Sequence, residues 1–73
     1  MGIITRLDRV LADRKMQLSE LSDLVGVSIA NLSNLKTGKV RAIRFSTLEK
    51  ICEVLECQPG DLLEYQTEEK NPE

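Results

Sequence analysis

A chain of 73 residues, 41% apolar and 30% charged, has room for one domain and one small core, and none of its apolar runs is long enough to cross a membrane. Aromatic residues are limited to Phe45 and Tyr65, so the core must be aliphatic. With no histidine and only Cys52 and Cys57 as thiols, the chain offers neither an ordinary zinc site nor a disulfide framework, and no metal or cofactor is expected.

The net charge of −2 conceals a strong asymmetry. Residues 1–23 balance to zero. Residues 24–48 carry Lys36, Lys39, Arg41 and Arg44 and no acid, a net of +4, while residues 49–73 carry −6. Charges separated by more than a Debye length of about 8 Å are screened, so local distribution governs what the surface attracts. A polyanion is expected at the middle segment. The N-terminal MGIITRLDRV lacks the apolar segment of a signal peptide, so the expected location is cytoplasmic.

In chain order, Ile4, Leu7 and Leu11 repeat at helical spacing, widened by Val10, and predict a first helix over 3–14 with Arg6, Arg9, Asp13 and Arg14 on its other side. Lys15 to Gln17 form a short connection. The second helix opens at Gln17 or Leu18 and places Leu21 and Val25 on one face, with the small Ser22 beside them. Gly26 follows as a residue that tolerates positive φ, Val27 plugs the corner, and Ser28 is a good N-cap for a third helix. That helix has a narrow apolar stripe of Leu32 and Leu35. Ala30, Ser33, Asn34 and Thr37 point away from the stripe, and Ile29 and Asn31 flank it. Gly38 is its expected left-handed stop.

A helix with so small and uncharged an outer face can enter a tight space such as the major groove of DNA. The loop KVRAIRF (39–45) is expected to anchor through Ile43 and Phe45 while Lys39, Arg41 and Arg44 face water. Ser46 and Glu49 have the spacing of a capping box. The fourth helix after them buries Leu48, Ile51, Cys52 and Leu55. Cys52 on that stripe is expected to be a small buried hydrophobe, and no chemistry is assigned to Cys57. Pro59 suits the first turn of a short fifth helix, with Asp61 near its positive end and Leu62 and Leu63 inward. No strand pattern is evident, and residues 66–73 are expected to be a disordered acidic tail behind a domain of residues 1–65.

Three pieces, LSDLVGVS (21–28), LSNLKTGK (32–39) and FSTLEKICEVLECQPGDLL (45–63), together resemble the lambda-repressor-like helix-turn-helix domains, the XRE-type family of Cro and the phage repressors. The resemblance covers residues 3–65, and the ending CQPGDLLEY is similar to that of small bacterial regulators of this family. It implies an all-α bundle of five short helices with the helix-turn-helix at helices 2 and 3. It further implies that Ile29, Ala30, Ser33 and Asn34 face base edges and that Ser28, Asn31, Thr37, Lys39 and Arg41 touch phosphates. Arg44 matches a place reaching toward the minor groove between half-sites. Two departures stand out: Leu18 replaces a glutamine that bonds the DNA backbone in many relatives, and Ile29 replaces a polar base-reader.

The residues agree with that expectation independently. Asn pairs bidentately with adenine, and Ile29 and Ala30 offer methyl contacts to thymine. With so few discriminating groups, part of the selectivity is expected from DNA shape. Lys36 joins Lys39, Arg41 and Arg44 as a phosphate-neutralising cation. The expected function is a transcriptional regulator binding double-stranded DNA as a homodimer. The alternative is a protein-interaction module, such as an antitoxin or adaptor, with the acidic 49–73 segment and the off-stripe Leu24 and Val54 meeting a protein partner. An enzyme is not expected, because no nucleophile stands beside an evident base and no glycine-rich phosphate loop is present.

Overall fold

The computed structural model of the chain describes residues 2–66. Five helices form in the expected order: α1 (Leu7–Arg14), α2 (Leu18–Val25), α3 (Ile29–Lys36), α4 (Phe45–Leu55) and α5 (Pro59–Leu62). None of them is long and apolar enough to cross a membrane. To the bundle the structure adds two short strands, β1 (Gly2–Thr5) and β2 (Leu63–Gln66), paired antiparallel with Ile3 opposite Tyr65 and Thr5 opposite Leu63.

The sheet corrects two expectations. Residues 3–6 do not join the first helix, and a strand pair exists where the pattern suggested none. Ile3, Ile4 and Thr5 are β-branched residues that fit a pleated surface. Their alternation, Ile3 outward and Ile4 half-buried, is the strand period. The helix therefore starts only at Leu7, where the Arg6 N–H donates to the Leu62 carbonyl at 2.7 Å and its guanidinium pairs with Glu64 of β2. Of the expected tail, Gln66 pairs in β2; residues 67–73 lie outside the described residues.

The core is aliphatic throughout. Leu7, Val10 and Leu11 of α1 meet Leu21 and Val25 of α2, Leu32 and Leu35 of α3, Ile51 and Leu55 of α4, and Leu62 of α5. Each such side chain contributes about 1.5–3 kcal/mol by leaving water. No polar or charged side chain among the described residues is fully buried. Cys52 is only half-buried, a correction to its expected place in the core.

α4 begins earlier than expected. Its first acceptor is the Arg44 carbonyl, bonded by the Leu48 N–H at 3.0 Å, and the Ser46–Glu49 capping box does not form. Ile43 packs against the core and the helix starts directly after extended Arg44. Phe45 then occupies the first helical position and continues the Leu48–Cys52 side of α4 beyond the core. It is 81% exposed instead of anchoring the loop. The far end of α4 is held by Arg14, whose Nε donates to the Leu55 carbonyl at 2.6 Å and whose Nη2 donates to that of Glu56 at 2.9 Å. Cations suit the carbonyl end of a helix.

Candidate nucleic-acid interface

The turn between α2 and α3 is built from local chemistry. Gly26 adopts φ +75 and its N–H donates to the Ser22 carbonyl at 2.9 Å, closing α2. An L side chain there would cost about 1–2 kcal/mol in the left-handed region. Ser22 has a second use, since its Oγ donates to the Val27 carbonyl at 2.6 Å and braces the turn from the α2 side. Ser28 is extended, and its Oγ accepts the Asn31 N–H at 3.1 Å as the N-cap of α3. The Ser28 hydroxyl proton stays available to a further acceptor.

α3 closes as firmly. Gly38 takes φ +78, its N–H donates to the Leu35 carbonyl at 3.1 Å, and the Lys39 N–H donates to that of Asn34 at 2.8 Å. This pair of bonds is a Schellman stop, and it fixes Lys39 directly against the end of the helix. The Thr37 Oγ1 donates back to the Ser33 carbonyl at 3.0 Å. Thr5 of β1 donates its hydroxyl to the Lys36 carbonyl at 3.1 Å, so the sheet supports the same helix end from behind.

Leu32 and Leu35 are the only fully buried residues of α3. Ala30, Asn31 and Asn34 are exposed, Ile29 is 49% exposed, and Ser33 is half-buried beside the stripe. Of the four residues expected to face bases, three stand well clear of the protein and Ser33 less so. Lys36, Thr37, Lys39, Arg41 and Arg44 are all exposed, as is Ser28.

Two clefts border α3. One of about 570 Å³ runs along its N-terminal half and brings Ser28, Asn31, Arg44 and Thr47 together over Leu32 and Ala42. The other, about 320 Å³, lies past its C-terminus, where Arg41 faces Gly38, Val40 and Thr5. The cations therefore divide between the two ends of the helix. Among the described residues no carboxylate forms an ion pair with any of the four; Glu64, which shares the cleft past the α3 C-terminus with Arg41, pairs with Arg6 instead. The described residues hold no cluster of side chains able to ligate a metal.

Residues 6–68 match the Cro/C1-type HTH DNA-binding domain. The chain belongs to this family. It is 61% identical over 69 residues to an uncharacterized HTH-type transcriptional regulator, YozG, of Bacillus subtilis (strain 168), a match covering 94% of this chain and 82% of that protein. In fold it is similar to the transcriptional regulator VanUg in its Form II crystal structure, with a TM-score of 0.71 and 35% identity over 93% of this chain and 92% of that one. Both relatives are named as transcriptional regulators, and the chain is a DNA-binding domain of that kind rather than an enzyme.

In this Cro/C1-type domain Thr47 is a residue that sequence reasoning passed over. Assigned to a capping box, it is instead the third residue of α4 and lines the cleft with Ser28 and Arg44. Its signal was the Ile43 anchor, which places the helix start two residues sooner than a Ser46 cap would and brings Thr47 into the cleft beside α3.

Proposed function

We propose that this Cro/C1-type domain is a sequence-specific transcriptional regulator that binds double-stranded DNA as a homodimer, with α3 as the helix laid in the major groove. One observation carries the reading: an outward helix with a small, neutral face is bordered at both ends by exposed cations, and no acid occurs between Leu24 and Leu48. A helix of this shape fits a groove about 12 Å wide, and unpaired cations at its ends fall where the phosphate strands run.

In this arrangement Ile29 and Ala30 meet thymine methyl groups, Asn34 pairs with adenine, and Ser33 approaches a base edge from the side. Ser28, Asn31 and Arg44 hold phosphate in the N-terminal cleft, and Lys36, Thr37, Lys39 and Arg41 hold the opposite strand. Thr37 does so by turning its hydroxyl proton from the Ser33 carbonyl to a phosphate oxygen. Phosphate contacts position the domain and base contacts specify the site.

One recognition helix reads only a few base pairs, so two copies on half-sites about 34 Å apart are the usual solution. Phe45, 81% exposed at the start of α4, offers an apolar contact for the second copy. The same contact is what favours the rival reading, a protein-interaction module holding a foreign partner. Selection of bound sites from a random duplex pool tests both. A palindromic motif supports the homodimeric regulator. Failure of the purified chain to retain any duplex at low salt refutes it and leaves the interaction module.

A further inference from the structure

α4 ends at Glu56, a left-handed residue with φ 55, and the chain turns back so that the Cys57 N–H donates to the Cys52 carbonyl at 3.0 Å. At this kind of helix stop the side chain just inside the end meets the one just past it, commonly as an apolar contact. Here both are thiols. Both residues are free and half-buried, and both line the open groove below Phe45. Two cysteines can be bridged only where their backbones are close and their side chains converge. The backbone hydrogen bond supplies the first condition, and the shared groove that both side chains line supplies the second.

We propose that Cys52 and Cys57 form a reversible dithiol–disulfide couple, closed by an oxidant of the hydroperoxide class that reaches them through the groove. One sulfur, as thiolate, attacks a peroxide oxygen. The O–O bond breaks, that sulfur becomes a sulfenic acid, and the other oxygen leaves as water or an alcohol. The second sulfur then attacks the sulfenic sulfur, the S–S bond forms, and the hydroxyl departs with the second thiol's proton as water. Two electrons and two protons pass from the thiols to the hydroperoxide. An external dithiol reopens the bridge by exchange.

The surroundings favour the closed form once it is made. Burial first, then the neighbouring Cys52 thiol, pushes the Cys57 thiol up to about 11, with Asp61 adding and Arg14 opposing. A thiol so reluctant to ionise gives the reduced state little stabilisation as thiolate, and it is a slow leaving group when the disulfide is attacked.

The test reads the thiols directly and does not depend on DNA binding. The full chain is treated with hydrogen peroxide, quenched with N-ethylmaleimide, and weighed intact under denaturing conditions with and without dithiothreitol. The expected product has lost the mass of two hydrogen atoms, takes up no maleimide, runs as a monomer on a non-reducing gel, and is restored by dithiothreitol. Cys52→Ser and Cys57→Ser must each abolish that product. A wild-type chain that gains oxygen on either cysteine, links to a second chain, or keeps both maleimide-reactive thiols overturns the proposal. So does a single-cysteine variant that still loses two hydrogens.

Discussion

Replacing Arg41 by Ala should change the salt dependence of duplex binding in a way that a purely structural role would not. Lys36, Lys39, Arg41 and Arg44 are exposed, four per copy and so eight in a homodimer. If each neutralises one phosphate, the slope of log affinity against log salt is about −0.9 times eight, or about −7. Raising salt from about 50 to about 200 mM then weakens the wild-type complex about 10⁴-fold. Arg41→Ala removes two contacts per dimer and brings the slope to about −5, so the same change in salt costs about 10³-fold. The variant is weaker at low salt, and its disadvantage shrinks as salt rises. Fluorescence anisotropy of a labelled duplex across a salt series measures both slopes. A wild-type slope near zero, or an Arg41→Ala slope equal to wild type, would refute the placement of the cations on phosphates.

Asn34→Ala should instead leave the salt slope unchanged and flatten preference at one base pair by about 1–3 kcal/mol, read from binding to singly substituted duplexes. Ser28→Ala removes the acceptor of the Asn31 N–H and should lower stability by about 1 kcal/mol, a fall of several degrees in Tm by calorimetry. Arg14→Ala frees the Leu55 and Glu56 carbonyls and should cost about 1–3 kcal/mol in urea unfolding, although Arg14 has no part in the DNA surface. Arg6 holds the Glu64 carboxyl below its usual range, by hydrogen bond first and charge second. Its contribution is therefore complete above the ordinary carboxylate pKa and lost as pH falls through the lower folded value. Glu64→Gln should flatten that acid limb of stability, read from urea unfolding across a pH series.

The stretch from Leu18 to Lys39 was legible residue by residue because its determinants are local. A leucine stripe, a glycine that accepts positive φ and a serine that caps all act within one or two helical turns. Gly26, Ser28 and Gly38 do in the structure what their types and spacing indicated. The charge division was equally plain, since it needs only the order of residues. The outward face of α3 followed from angular spacing, with Ser33 the exception, drawn partly inward beside the stripe.

What the sequence alone determined is thus the order of helices, the turn and the basic segment, each specified by neighbours a few residues apart. The tertiary structure decided the rest. β1 exists because its partner is β2, at the other end of the described chain, and Arg14 is a helix cap only because folding brings the end of α4 to it. Phe45 became a solvent-facing residue because the Ile43 anchor set where α4 begins. Hydrogen bonds and contacts between distant segments leave no periodic trace in either segment, so only the packed molecule displays them.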